Sequence, residues 1–547
     1  MENFIDQFER SVIRCWDRPA LSDYGKGSET YAVFAARIRN LHLLWQAAGL
    51  TRGDRVAINA KSCTHWIEVF MACMSGGYIA VQMFNGFLPT DTQKLVKHSG
   101  SKILYTEKNI FDRMDFESMP KVLAVIDIDS YEVLASREPF KGAVDAAREA
   151  FAQKHPSGLT ASDIHYQGFG MDDVCAIMYT SGSTGSPKGV MLSPRNFSVN
   201  VFEFSRHLPY KEGETYTSIL PFAHIFGLTC DVVLPMSMGM HVVVLGRVPV
   251  PASIEKMMRD YHPRIFLAVP VVLSKFVEYT LGAELKDPEI SRKLRHYQDY
   301  PELCARLRAK VLDALGGNLE VFATGGAAIP PDIEHLLVDQ IGMPFITGYG
   351  LTECAPLLAV GSVGSYKSKS CGEILGTVQA RIDSPFPSSV PGELQVKGDC
   401  VFSGYYNNPR ATADAFTPDG WFKTGDLGTV DKDGTLFLVG RCKNMLLTSN
   451  GLNIFPEEIE VMLNSLPYVY ESLIVQRGNS LHAIIVPDQD KSAETHLDAK
   501  SLRIIMESNV RKLNASLPAY SAIHSYEIRL EPFAKTPKGS LKRFLYS

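Results

Sequence analysis

The sequence predicts an α/β protein: a large N-terminal domain of mainly parallel βαβ sheets with helices, followed by a small α+β C-terminal domain. Strand-like and helix-like segments alternate through residues 1–440, which is the rhythm of parallel strands joined by crossover helices. After Lys443 that rhythm gives way to helix, strand, strand, helix. The 547 residues, 45% hydrophobic and 21% charged, suffice for more than one ordinary globular core.

The elements follow in order. A long amphipathic helix stops near Gly49, and residues 54–59 form the next strand. Val174-Cys-Ala-Ile-Met-Tyr179 reads as a buried strand, and Val190-Met-Leu192 as a second apolar segment beyond a glycine-rich loop. Ser193 is placed to cap a helix that Pro194 opens. Residues 265–270 read as a buried strand, and a helix through Val271 and Phe276 follows, with a helical insert reaching residues 310–317. Residues 319–323 form a strand, Gly325-Gly326 a turn, Pro330-Pro331 opens a helix through His335 and Leu337, and residues 345–347 are the next strand. Sites in such sheets lie beyond the carboxyl ends of the strands. Past Lys443, residues 456–466 are helical, 472–476 and 482–486 are strands, and 500–517 form a long helix.

The loop between the two apolar segments carries the most chemistry. Tyr179-Thr-Ser-Gly-Ser-Thr-Gly-Ser-Pro-Lys-Gly189 packs hydroxyls, glycines and one cation, Lys188, into a short stretch. Glycines let several backbone N–H groups point one way, and a cation beside such donors suits phosphate oxygens. A solvated Gly/Ser surface loop is the alternative reading of the loop alone. The pattern G-x-x-x-x-G-K-[ST] does not occur, so this is not the P-loop of kinases and GTPases.

A net charge of −5 gives no whole-protein attraction for nucleic acid or an anionic membrane, so an anionic substrate needs local donors. Ten scattered cysteines without metal-ligand spacing, and no apolar signal stretch after Met1, lead to the expectation of a cytoplasmic protein. No run approaches the roughly 18 apolar residues of a spanning helix.

Further motifs succeed the loop: Leu220-Pro-Phe-Ala-His-Ile-Phe-Gly227, Thr324-Gly-Gly-Ala-Ala-Ile-Pro330, Gly348-Tyr-Gly-Leu-Thr-Glu353, Gly392-Glu-Leu394 and Asp419-Gly-Trp-Phe-Lys-Thr-Gly-Asp426. Gly440-Arg-Cys-Lys443, Asn450-Gly451 and Asn453-Ile-Phe-Pro456 complete the series. The ordered set resembles the signatures of the adenylate-forming superfamily of acyl-CoA synthetases, luciferases and peptide-synthetase adenylation domains, most of all a bacterial-type long-chain fatty acid–CoA ligase. The resemblance covers practically the whole chain. It implies a large AMP-binding domain over residues 1–440, a hinge at 441–443, and a mobile lid over 444–547 that rotates between two half-reactions. The first condenses a carboxylate with the α-phosphate of ATP, releasing pyrophosphate; the second passes the acyl group from AMP to a thiol.

The resemblance assigns residues to that chemistry. Lys188, with Thr180, Ser181, Gly182, Ser183, Thr184 and Gly185, would hold the β- and γ-phosphates. Glu353 would ligate Mg²⁺ and Thr352 would touch phosphate. Tyr349 and Gly350 would flank the nucleotide, Tyr349 offering a flat face to adenine, while Gly326 and Ala327 permit close backbone approach to the base. Asp426 would accept the ribose hydroxyls, Arg441 would reach ribose or phosphate, and Lys443 would be the hinge. His224 would stand near the reacting carboxylate, and Asn450 and Gly451 near the pantetheine arm of coenzyme A. Singly, each has a plain alternative: solvated acid, turn aspartate, surface arginine or packed histidine.

The expected acid is a fatty acid or another hydrophobic carboxylic acid. Residues 221–227 are apolar and offer no carboxylate for an amino group, and residues 265–276 resemble the corresponding segment of long-chain ligases. The expected partners are therefore that acid, ATP and CoA, with no nucleic acid; peripheral membrane contact to collect the acid and a homodimer stay open. One departure stands out. The family's closing motif carries lysine where Ala534-Lys-Thr-Pro-Lys-Gly-Ser-Leu-Lys-Arg543 has Ser540. Lys538 and Lys542 share its face in an extended segment and are the candidate replacements, Lys538 slightly ahead. Two alternatives follow: an acyl-AMP ligase serving a carrier protein, and a non-catalytic adenylate- or acyl-binding homologue.

Overall fold

A computed structural model describes residues 1–180, 187–447, 453–478, 480–536 and 541–546. Ser181, Gly182, Ser183, Thr184, Gly185, Asn450, Gly451, Lys538 and Ser540 lie outside the described residues. The fold is mixed α/β, with a large N-terminal domain built mainly on parallel sheets and a smaller C-terminal domain.

The largest sheet has eight strands, in the order Gly404–Tyr405, Lys188–Leu192, Ala176–Thr180, Ile79–Met83, Arg55–Asn59, Ile103–Thr106, Ala124–Asp127 and Val133–Ser136. The five from Ala176–Thr180 to Ala124–Asp127 are parallel. Lys188–Leu192 folds back antiparallel on Ala176–Thr180, which sets Lys188 opposite Thr180 at the carboxyl end of a central strand. Gly404–Tyr405 pairs along the outer side of Lys188–Leu192, Tyr405 opposite Val190. Ser193 caps the following helix, Pro194–His207, through the backbone N–H of Asn196. The Tyr31–Ala47 helix ends two residues before Gly49, whose φ of +80° turns the chain toward the next strand.

A second sheet places Ile265–Ala268, Val321–Gly325 and Phe345–Gly350 in parallel, then Leu357–Val360 and Glu373–Ile374 antiparallel. The middle strand starts two residues later than residues 319–323 suggest and runs into Gly325. Its register is set by its neighbours, Val321 opposite Ile265 and Gly325 opposite Gly348. A Cβ on Gly325 would come 3.0 Å from the Gly348 carbonyl oxygen, so glycine serves close strand approach there. The helix opened by Pro330-Pro331 is a short α-helix, Pro331–His335, that widens into a π-helical turn, Leu336–Gln340.

A third sheet is fully antiparallel and departs from the parallel βαβ pattern: Val378–Asp383, Gly392–Gly398, Phe422–Val430 and Leu436–Arg441. The smaller domain packs the helices Pro456–Asn464 and Ala499–Asn514 on the strands Val469–Arg477, Ser480–Pro487 and Ile523–Ile528 around Leu463, Ile485 and Met506. No helix among the described residues is long and apolar enough to cross a membrane.

Among the described glycines, backbone crowding is greatest at Gly350. A Cβ there would sit 1.9 Å from the Pro356 carbonyl oxygen, at the kink where Phe345–Gly350 meets the returning strand. Gly350→Ala is expected to destabilise the protein by about 1–3 kcal/mol, as overpacking does. The denaturant midpoint checks this; an unchanged midpoint would show that the turn can relax.

Candidate active site

The carboxyl ends of three parallel strands open on one cavity of about 990 Å³, lined by Thr180, Gly325 and Gly350 among others. Lys188, His224, Gly326, Thr352, Glu353, Arg441, Lys443 and Lys542 line it too. Motifs separated by more than 100 residues therefore share one space, which the smaller domain closes through Glu457, Lys542 and Arg543.

Lys188 opens its strand opposite Thr180, and its ammonium lies 4.8 Å from the centre of the Tyr405 ring. The Tyr405 hydroxyl donates a 2.9 Å hydrogen bond to Glu353 Oε1. Tyr405 thus bridges the lysine and the carboxylate, an arrangement in which the ring's negative face meets a cation. The sequence motifs gave no sign of it, because its position depends on a strand pairing between residues more than 200 apart.

Glu353 projects from a short 3₁₀ turn, Thr352–Cys354, held from several sides. Asn200 donates to the Cys354 carbonyl and accepts from Leu357 N–H, Thr229 donates to the Ala355 carbonyl, and Phe402 N–H donates to the Glu353 carbonyl. These buried polar groups fix the turn because an unpaired amide there would cost stability.

Asp426 is almost fully buried at the crossing of two sheets. Arg441, opposite it in the ladder, places Nε 2.7 Å from Asp426 Oδ1, and the Tyr349 hydroxyl donates to Oδ2 at 2.6 Å. Burial pushes the Asp426 carboxyl up from its ordinary range, against the pull of Arg441 and Tyr349. Asp426 and Tyr349 do not themselves line the cavity; Gly425 and Arg441, their neighbours, do. Ala327 is exposed and also lies off the lining.

His224 caps a short helix, its Nδ1 accepting from Phe226 N–H at 3.2 Å, so the neutral ring carries its proton on Nε2. Its loop is tied down by Asp231, which is fully buried and accepts from Tyr216, Ser218 and Leu220 N–H at 2.8, 2.8 and 3.1 Å. Burial lifts the Asp231 carboxyl to about 7. Lys443 sits in the 3₁₀ turn Cys442–Asn444, where burial, then Arg441 and Lys188, lower its proton affinity.

The cavity also has an apolar side formed by Phe204, Leu208, Phe226, Leu267, Ala323 and Ile346. Of residues 265–276, only Leu267 reaches it. Leu273 and Phe276 instead pack with Leu307 and Val311 in a core of their own, and Val271 is exposed, so that helix and insert buttress the sheet from outside the cavity.

Comparison with known proteins places these features in a family. The AMP-binding enzyme model matches residues 8–406, and the AMP-binding enzyme C-terminal domain model matches residues 443–546. The long-chain-fatty-acid–CoA ligase FadD15 of Mycobacterium bovis is 29% identical over 82% of this chain and 75% of its own. A feruloyl-CoA synthase of Amycolatopsis is 28% identical over 85% of this chain and 84% of its own. Among solved structures, ATP-bound MatB from Rhodopseudomonas palustris superposes with a TM-score of 0.78, covering 99% of this chain and 98% of that one. At 21% identity that is a likeness of fold.

Tyr405→Phe keeps the ring over Lys188 and deletes the bond to Glu353. It should cost about 1.5–3 kcal/mol, the usual worth of a hydrogen bond to a charged group. Tyr405→Leu should cost more, since the cation then loses its ring. Equal denaturation midpoints for all three proteins would remove Tyr405 from this role.

Proposed function

The chain belongs to the AMP-binding enzyme family, and on that footing we propose that it is an ATP-dependent acid–CoA ligase acting on a fatty acid. One observation carries the reading: a single cavity joins a cationic end, with Lys188 and Arg441 beside Glu353, to an apolar wall. A carboxylate with a hydrocarbon body fits that polarity. Burying its alkyl chain gains about 0.8 kcal/mol per methylene.

In this reading Lys188 offsets charge on the departing pyrophosphate, while Arg441, held by Asp426, faces the α-phosphate and ribose. The His224 Nε2–H is a donor toward the acid's carboxylate. Closure by the smaller domain keeps water from the activated acyl group. Glu353 and Thr352 offer the hard oxygen donors that Mg²⁺ prefers. No three His, Cys, Asp or Glu side chains gather into a metal cage among the described residues, so phosphate oxygens would complete the coordination. Bound there, Mg²⁺ would neutralise phosphate charge. We take residues 441–443 as the hinge, with the smaller domain turning to admit CoA for the second step.

Two other readings keep one observation each. The feruloyl-CoA synthase relative favours an aromatic acid. Ser540 in the closing motif favours a protein that binds without turnover. Incubation with ATP, Mg²⁺, CoA and acids of graded alkyl length beside aryl acids, followed by mass analysis, separates them. The expected outcome is an acyl-CoA with one AMP and one pyrophosphate formed per thioester. Stoichiometric ADP would exclude this chemistry; acyl adenylate without thioester would point to a carrier-protein acceptor.

Lys443→Pro restricts φ at the hinge. It should impair one half-reaction, adenylate formation or thioester formation, by far more than the other. Equal loss of both at unchanged stability would argue against a hinge there.

A further inference from the structure

The end of the chain folds into a pinned hairpin. Lys535 and Leu541 form an antiparallel bridge, and Lys542 N–H donates to the Ala534 carbonyl at 2.9 Å. The two ends are locked together, Ala534 N–H donating to the Tyr546 hydroxyl at 2.8 Å and Phe533 packing edge-on against the Tyr546 ring. The hairpin is fastened to its own domain by carboxylates: Glu471 accepts from Phe533 N–H and pairs with Lys535 at 2.6 Å, and Glu460 takes Arg543 as a two-point fork.

This leaves an asymmetry among the tail's described cations. Lys535 is committed to Glu471 and Arg543 to Glu460, with Glu457 3.8 Å away. The Lys542 ammonium has no carboxylate partner among the described residues, and it lines the cavity that Lys188, Glu353 and Arg441 also line. In sequence it stands two residues after Ser540.

We propose that Lys542 supplies the positive charge that Ser540 does not, and that the Arg543–Glu460 pair positions it. The proposal rests on the ligase reading above. In the first half-reaction a carboxylate oxygen attacks the α-phosphorus. A new O–P bond forms as the bond to the bridging oxygen breaks, and that electron pair departs on pyrophosphate. Lys542 stays an ammonium throughout and acts by charge alone, where negative charge concentrates on the α-phosphoryl oxygens. Among the tail's described cations, Lys535 and Arg543 are tethered elsewhere.

The test is single-turnover kinetics of the full-length protein, with pyrophosphate release and thioester formation from preformed acyl adenylate and CoA measured separately. Lys542→Ala should slow pyrophosphate release by about 10²–10³-fold, with thioester formation within about two-fold of the parent, while Lys538→Ala matches the parent in both. Lys542→Arg, which retains charge, should recover most of the first step and controls for folding. Glu460→Gln should slow the first step alone and leave KM for ATP unchanged, which a general loss of structure would not do. Full adenylation by Lys542→Ala, equal loss of both half-reactions, or a loss confined to Lys538→Ala would each overturn the assignment. A parent that releases no pyrophosphate with any acid would remove the ligase reading and this inference with it; a turning-over parent with an indifferent Lys542 removes only the inference.

Discussion

The buried Asp426 carboxylate is the contact that joins two sheets of the large domain. Tyr349 reaches it from the mixed sheet, and Arg441 from the strand beside it in the antiparallel sheet. Arg441 is also the last residue of its strand, immediately before the turn that leads to the smaller domain. One carboxylate thus ties together two sheets and the exit of the chain. Burial disfavours its charge, and the two donors hold it in place, so breaking either contact would leave a buried group without compensation.

Much of the fold was legible because it rests on local signals. The Ser193-Pro194 pair caps and opens a helix as such a pair should, and the strand at Arg55–Asn59 and the helix at Pro456–Asn464 lie within two residues of their sequence-based bounds. The alternation of apolar segments gives a parallel order because crossover connections leave few other arrangements. Residues of most motifs between 180 and 443 meet at one cavity, Thr180, Gly325 and Gly350 at the carboxyl ends of strands, whereas Gly392-Glu-Leu394 opens a strand and does not line it.

What escaped the sequence depends on partners far apart in the chain. Tyr405 reaches Lys188 through a two-residue strand, too short to carry a period-2 pattern. The apolar wall takes Phe204 from one helix, Leu208 from just past its end and single residues from three strands, whereas residues 271–276, apolar enough to invite a tunnel, face a different core. An apolar run states that it will be buried; it does not state against what. Likewise the tail's basic residues look interchangeable in sequence, and only their carboxylate partners set Lys542 apart from Lys535 and Arg543.

Four cations, Lys188, Arg441, Lys443 and Lys542, line the one cavity. Their mutual influence already reaches Lys443, whose hold on its proton is weakened by Arg441 and Lys188. Like charges at such range repel by amounts that matter in a partly dry space. A polyanion bound among these cations would therefore offset a repulsion that the cleft otherwise carries. In the ligase reading proposed above, departure of pyrophosphate would return part of that repulsion to the cavity.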